Sequence, residues 1–318
     1  MRSIIIHLLA IIIIISFFVP PGLIPSASSE TSTKKGQVIY TNSLNGNLDY
    51  CHCPSSPNGG LVKRATAIQL LRNKNADLLL CSTGDFFTYS PDPTLAKYIV
   101  KSLRHIDYDA ICMGDQEMTI GTDAVNRYAS RLPFVCANLE IRHNGKWISP
   151  WKPYRVIRKG AITYGITGIM HPSVFKYYKS NVKKNTRVKK PAPSLAKAIR
   201  ALKEKKVDCI ILLSHSGIAH DKKLAKSHPD INIIIGGHTQ TLLDPPLKEG
   251  NTIIVQAGSG GAHIGILDIT LTDGNISRYS NRFILPDENQ PSDDSHIRGL
   301  IKQYKKEVSK QHKGLRFD

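Results

Sequence analysis

Acidic residues are scarce in this chain of 318 residues: 25 Asp and Glu oppose 43 Lys and Arg, which gives a formal net charge of +18. So basic a balance permits binding to phosphates, nucleic acids or membrane surfaces without identifying one of them. The sequence also lacks the Cys and His spacing of a zinc finger and the aromatic motif of an RNA-binding domain. We therefore expect no nucleic acid as a partner.

Cysteine is also rare, and six residues are too few to form the disulfide scaffold of a chain this long. Cys51 and Cys53 flank His52 on a loop near the start of the chain. Such a pair forms a tight loop disulfide, pairs with Cys136 or another thiol, or binds a soft metal, and the residues leave these alternatives open. Three others lie in apolar strand-like runs, where buried free thiols are the ordinary arrangement. These are Cys81, Cys112 and Cys209.

A long apolar run occurs once, from Ile4 to Val19. Pro20-Pro21-Gly22 then ends any helix, and small residues from Pro25 to Ser29 suit cleavage. We interpret residues 1–28 as a signal peptide, which predicts export to the periplasm or the extracellular space without stable membrane insertion after cleavage. The alternative is an uncleaved anchor, although a spanning helix needs about 20 apolar residues.

Strand-like runs alternate with helical patterns between residues 36 and 285, which predicts an α/β domain with an antiparallel component. The basic stretch 176–191 is predicted to be a loop. Residues 286–318 are assigned to a polar linker and a C-terminal helix. The predicted strands are 37–42, 77–81, 110–113, 134–137, 162–169, 208–213, 231–235, 252–257 and 263–271, and the predicted helices are 61–73, 94–105, 122–131, 194–205 and 296–310.

Polar side chains follow four of these strands at their ends: Asp85, Asp115, His215 and His238. Taken singly, an Asp after Gly is often a turn residue, and a lone His is often a hydrogen-bonded core residue. Sites in open α/β sheets form outside the carboxyl ends of the strands, however. Two carboxylates and two imidazoles that converge there suit a divalent metal.

The segments around these residues are Gly84-Asp85, Gly114-Asp115-Gln116-Glu117, Ser214-His215 and Gly236-Gly237-His238-Thr239-Gln240. Their order and spacing resemble the motif series of calcineurin-like metallophosphoesterases, most closely the branch of 5′-nucleotidases and UDP-sugar hydrolases. The resemblance extends over residues 37–285. It implies a four-layer α/β/β/α sandwich with two metals at the strand ends and hydrolysis of phosphoesters.

The resemblance also implies a set of metal ligands. Asp85 corresponds to the carboxylate that bridges the two metals, and the other matching ligands are Asp115, His215, His238 and Gln240. We expect one tight divalent ion, of the manganese, zinc, iron or magnesium class, to be bound by the two aspartates and the two histidines.

The first motif departs from the family pattern. The family has Asp-x-His after the first strand, and this chain has Ser43-Leu44-Asn45. Ser43 and Asn45 are neutral and weaker oxygen donors. We therefore expect the second metal site to be weak or absent.

The third motif departs as well, because the family's Asn-His-Glu is Asp115-Gln116-Glu117 here. Gln116 takes the place of the catalytic His, and Thr119 takes the place of the Asp that supports it. A glutamine amide donates a hydrogen bond to a phosphoryl oxygen but delivers no proton at neutral pH. We predict Gln116, Asp115 and His215 as the catalytic residues.

The leading hypothesis is an exported metal-dependent hydrolase of the 5′-nucleotidase type that acts on a small-molecule phosphoester or a related anion. Only about 33 residues follow Leu285, so we expect the family's separate nucleoside-binding C-terminal domain to be absent. One alternative is a non-catalytic metal- or anion-binding member, which the degenerate first and third motifs favour. Another is a sulfur-ester hydrolase, by analogy with thiosulfate-processing relatives. Its only support is the Cys51-His52-Cys53 loop, which should reach the mouth of the site.

Overall fold

In the computed structural model, residues 32–50, 59–286 and 292–313 are described, with side chains up to residue 311. The predicted signal peptide and the Cys51-His52-Cys53 loop lie outside the described residues. The strands are β1 (Thr33–Thr41), β2 (Leu79–Ser82), β3 (Ala110–Cys112), β4 (Phe134–Val135), β5 (Leu139–His143), β6 (Lys146–Ile148), β7 (Tyr154–Lys159), β8 (Ile162–Met170), β9 (Thr186–Val188), β10 (Cys209–His215), β11 (Ile233–Gly236), β12 (Leu247–Glu249), β13 (Thr252–Val255), β14 (Ile264–Thr272) and β15 (Asn275–Ile284). The helices are α1 (Gly60–Lys74), α2 (Pro93–Ile106), α3 (Thr122–Ala129), α4 (Ser180–Asn185), α5 (Pro191–Glu204), α6 (Ile218–Ser227) and α7 (Ser295–Lys313).

Two six-stranded sheets form the centre of the molecule. The first has the order β15-β14-β1-β2-β3-β4, in which β1 to β4 are parallel. The second has the order β12-β13-β11-β10-β8-β7, with a parallel core of β13, β11, β10 and β8. The outer pairs β14–β15, β12–β13 and β7–β8 are antiparallel. A small sheet, β6-β5-β9, lies beside them.

Alternating residues of each central strand enter two different cores, because successive strand side chains point to opposite faces. Val38 packs between the two sheets with Ile211, whereas Ile39 packs under the helices of the first sheet. Helices α1, α2 and α7 cover that sheet, and α5 and α6 cover the second through residues such as Leu202 and Leu224. The predicted four-layer α/β/β/α sandwich is confirmed.

The prediction of a loop over residues 176–191 is wrong. This segment contains α4 and β9, and β9 pairs with β5. Arg187 in the strand and Lys189 just after it bind the carboxylate of Glu140. The strand therefore exists because of a partner distant in the sequence, which a local pattern cannot reveal.

The C-terminal helix α7 was predicted, and it packs on α2. Ile297 and Leu300 are buried there, and the ring of Tyr304 meets that of Tyr98 at a centroid distance of 5.8 Å. The division of the chain at residue 285 stays a prediction. Among the described helices, none has the length and apolar character that crossing a membrane requires.

The thiols of Cys81, Cys112 and Cys209 are buried and free, as predicted, and the thiol of Cys136 is also buried and free.

Candidate metal centre

The ends of β2, β3, β10 and β11 bring four polar side chains together, namely Asp85, Asp115, His215 and His238. The Oδ1 atom of Asp115 lies 2.8 Å from His215 Nε2 and 3.1 Å from His238 Nδ1. His215 Nε2 also lies 3.4 Å from Asp85 Oδ2. Ligand atoms of Asp115, His215 and His238 all fall within 4.8 Å of one another. One carboxylate and two imidazoles at this spacing fit a divalent transition metal, with Asp85 beside them.

The imidazole of His215 is oriented by a hydrogen bond from the ring nitrogen that does not face Asp115. Its Nδ1 donates a hydrogen bond of 2.7 Å to the carbonyl oxygen of Thr83, and a carbonyl can only accept. With Nδ1 engaged by Thr83, Nε2 is the nitrogen that remains for a metal, which is the usual arrangement of a metal-ligating histidine. Gly237 leaves room for this ring, since a Cβ at that position would lie 3.0 Å from His215 Nδ1.

The electrostatics of this cluster favour positive charge. Burial alone would raise the pKa of Asp115, but hydrogen bonds from His215 and His238 hold that pKa well below its usual range. Burial alone would lower the pKa of His215, but the carboxylates of Asp85 and Asp115 raise it well above its usual value. A divalent cation would meet the same demand for positive charge.

Glu117 fixes the two loops that carry the aspartates. Its buried carboxylate accepts hydrogen bonds from the backbone N–H groups of Gly114 (2.6 Å), Asp85 (3.0 Å) and Phe86 (2.6 Å). Burial, and then the charge of Asp85, raise the pKa of Glu117 to about 7. Glu117 stands in the third motif, but nothing in that motif predicted this role for it.

The backbone of the site is strained. Among the described residues, nine that are not glycine have a positive φ, and five of them belong to the predicted site, with φ between 45° and 69°. Left-handed conformations of such residues cost about 1–3 kcal/mol each and concentrate at functional sites. The five are Ser43, Asn45, Asp85, His238 and Gln240.

The first-motif residues join a chain of neutral amides. Gln116 Nε2 donates to Asn45 Oδ1 at 3.0 Å, and Asn45 Nδ2 donates to Gln240 Oε1 at 3.1 Å. Within the described part of the chain, Gln116 Oε1 is buried without a hydrogen-bond partner. Ser43 is fully buried. The hydroxyl of Thr119 bonds the backbone carbonyl of Gln116 at 2.8 Å, so it supports the backbone and not the amide.

Some residues at this edge of the sheets were not predicted. The hydroxyl of Tyr178 donates to Asp115 Oδ2 at 2.5 Å. The rings of His171 and His220 stack at 3.6 Å, and the backbone N–H of His171 bonds the carbonyl of His215. Tyr178 belongs to the segment predicted as a loop, and none of the three lies in a recognisable motif.

The fold and the site define a metallophosphoesterase. The family model described as calcineurin-like phosphoesterase matches residues 51–242, and the chain belongs to that family. The resemblance that the motifs predicted is thereby confirmed.

Comparisons with individual proteins agree with this family. A snake venom 5′-nucleotidase of Gloydius brevicauda is 27% identical over 288 residues, which cover 78% of this chain and 46% of the venom protein. The chain thus spans about half the length of the curated relatives that it matches. A 5′-nucleotidase precursor of Thermus thermophilus has a similar fold, with a TM-score of 0.74, 24% identity and coverage of 87% of this chain and 59% of that one. The sulfate thiohydrolase SoxB of Thermus thermophilus also has a TM-score of 0.74, at 18% identity, over 85% of this chain and 60% of SoxB.

Proposed function

We propose that the chain is a metal-dependent hydrolase of small-molecule phosphoesters. The observation that carries the proposal is the convergence of Asp115, His215 and His238, with Asp85 beside them, at the carboxyl ends of four strands. A divalent cation bound there would polarise a phosphoryl oxygen and acidify an attacking water. The 5′-nucleotidases among the similar proteins support a phosphomonoester as substrate.

The side chains at the site have separate roles in this reaction. Asp85 and Asp115 supply the negative charge that retains a cation. Gln116 has an amide at the site that can donate to a phosphoryl oxygen if it leaves Asn45. Because this amide delivers no proton to a leaving group, we expect esters with activated leaving groups to react faster than alkyl esters.

The amide chain supports one tight cation. Two hydrogen bonds join Asn45 to Gln116 and to Gln240 across the position where the family's second metal requires stronger ligands. Amide oxygens carry no net charge and bind a divalent cation less strongly than carboxylates do. We propose that a second cation binds weakly or not at all.

A basic surface beside the site supports an anionic substrate. The segment from 176 to 190 contains seven Lys and Arg residues and no Asp or Glu, and Tyr178 within it reaches Asp115. Glu140 neutralises two of these cations. Clusters of one charge attract ligands of the opposite charge and raise association rates. The seven are Lys176, Lys179, Lys183, Lys184, Arg187, Lys189 and Lys190.

Metal content and hydrolysis of an aryl phosphate test this proposal together. After dialysis against manganese or zinc, we expect about one equivalent of metal per chain and a metal-dependent turnover that is lost on chelation. His238→Ala should lower both, because the cluster loses one of its few ligands. His143→Ala is the matched control, since this imidazole lies at the end of the peripheral strand β5 and pairs with Asp123 of α3.

Two results would change the conclusion. Bound metal without turnover of any phosphoester would favour the non-catalytic metal-binding alternative. Two tight equivalents would refute the single site. A parallel screen with sulfur esters addresses the remaining alternative, whose support lies on a loop outside the described residues.

We also propose export, which the apolar run Ile4–Val19 and the small residues after it support. N-terminal sequencing of protein from a secreting host should begin near residues 28–31. A start at Met1 would favour the anchor instead.

A further inference from the structure

The two oxygens of Asp115 have different partners. Oδ1 faces both imidazoles of the metal cluster, at 2.8 and 3.1 Å. Oδ2 accepts the hydroxyl of Tyr178 at 2.5 Å. Asp115 is 5% exposed, so Oδ2 has little access to water and depends on this donor.

The position of Tyr178 is set from two sides. Its ring is 7% exposed and packs against Phe175 at a centroid distance of 5.5 Å and against Tyr89 at 4.9 Å. Tyr89 lies on the loop after β2, which also carries Asp85, and its hydroxyl donates to the carbonyl of Tyr177 at 2.9 Å. The loops after β2 and β8 are therefore joined directly above Asp115.

We propose that Tyr178 is a positioning residue of the metal centre. Its hydroxyl holds Asp115 Oδ2 away from the cation, so that Asp115 binds through Oδ1 alone. The inference rests on the proposed function only in taking the cluster to be a metal site, and it requires no hydrolysis.

The same geometry explains how an aspartate fits where the resemblance implies an asparagine. A carboxylate oxygen only accepts, so each oxygen of Asp115 needs a donor or a cation. Tyr178 donates to one oxygen, and a bound cation would satisfy the other. Asp115 and Tyr178 therefore form a matched pair, and the effect of removing the hydroxyl should depend on the charge at position 115.

Tyr178→Phe tests the proposal, because it removes the hydroxyl and keeps the ring against Tyr89 and Phe175. Cobalt(II) is the probe, and its dissociation constant is measured by equilibrium dialysis against the full chain. We expect a loss of affinity of roughly 10- to 100-fold, as for other groups that orient metal ligands. The visible absorption of bound cobalt should also change, because Asp115 can then bind through both oxygens. Tyr177→Phe, whose residue is 79% exposed, should leave affinity and spectrum unchanged.

A double-mutant cycle separates positioning from packing. In an Asp115→Asn background, Tyr178→Phe should change cobalt affinity by less than about threefold, because no carboxylate oxygen is left to hold. Tyr89→Phe should weaken binding in the same direction but by less, since it only loosens the loop. Wild-type affinity in Tyr178→Phe, or an equal loss in both backgrounds, would overturn the proposal. If the wild-type chain binds no cobalt, the proposal is overturned as well. If cobalt binds without any ester hydrolysis, the proposed function fails and the affinity ratios still decide this inference.

Discussion

Asp221 should make the stability of the metal-free protein depend on pH. It lies on α6 and is fully buried, and its Oδ1 accepts the hydroxyl of Ser214 at 2.5 Å. Among the described residues, its Oδ2 has no hydrogen-bond partner. A Cβ on Gly236 would meet this oxygen at 2.8 Å and oxygens of Gln256 and Val255 at 3.6 Å. Several oxygens thus face one small space, which favours a protonated carboxyl.

Burial raises the pKa of Asp221 from its ordinary value of 3.8 to about 7. At a pH between these two values, Asp221 keeps its proton in the folded chain and has lost it in the unfolded chain. The free energy of unfolding therefore falls as the pH rises. The full loss of unfolding free energy is reached only above the pKa that Asp221 has in the folded protein. At about 1.4 kcal/mol per pKa unit, the contribution of Asp221 should fall by about 2.5 kcal/mol between pH 5 and 8.

Asp221→Asn removes this titration and keeps an acceptor for Ser214. Urea unfolding of chelator-treated wild-type and variant proteins at several pH values provides the measurement. The difference in unfolding free energy, variant minus wild type, should grow by about 2.5 kcal/mol between pH 5 and 8, because other titrating groups cancel in the subtraction. A constant difference would mean that Asp221 is ionised in the folded protein and that the reasoning is wrong.

Two further predictions concern Arg64 and the third motif. Arg64 is fully buried, and in the described part of the chain its guanidinium has no hydrogen-bond partner. Arg64→Met should therefore raise the free energy of unfolding by about 1–4 kcal/mol in urea titrations. The control Arg72→Met loses a hydrogen bond to the carbonyl of Ile106 at the end of α2 and should lower the free energy of unfolding. Destabilisation by Arg64→Met would contradict this reasoning. Gln116→His with Thr119→Asp should raise the rate of hydrolysis of an alkyl phosphate more than that of an aryl phosphate. General acid catalysis contributes roughly 10²–10⁴-fold, and an aryl leaving group needs little of it. Equal gains on both substrates would argue against a missing general acid.

The central sheets could be predicted from sequence because their strands are buried on both faces and read as continuous apolar runs. The runs 208–213 and 231–235 appear in the structure as β10 and β11. The short strands β5, β6 and β9 were not predicted. The strand β9 depends on β5, a partner from another part of the chain, whereas β5 and β6 form a hairpin around Asn144-Gly145, a local turn signal that the sequence does contain. The helix α6 was also missed, and its amphipathic pattern is short and follows directly after a motif.

The site could be predicted in part for a similar reason. Strand order places the ends of parallel strands together, so the convergence of Asp115, His215 and His238 follows from topology and residue type. The left-handed backbone of Asp85 and His238 leaves no trace in composition or periodicity. The contact between Tyr178 and Asp115 joins residues 63 positions apart, and no local pattern encodes it.

The departures from the family pattern form a consistent set. The resemblance implies a carboxylate in the first motif and an amide in the third, and this chain has Ser43 and Asp115 at those positions. Compared with that pattern, the first metal position has one carboxylate fewer and the second has one more. The number of carboxylates around the two positions together is unchanged. Asp115 receives a donor from Tyr178, while Asn45 and Gln240 bond each other. An emptied site lined by carboxylates would leave unbalanced repulsion between like charges, which neutral amides avoid. The redistribution therefore supports the proposal of one well-bound cation in place of two shared ones.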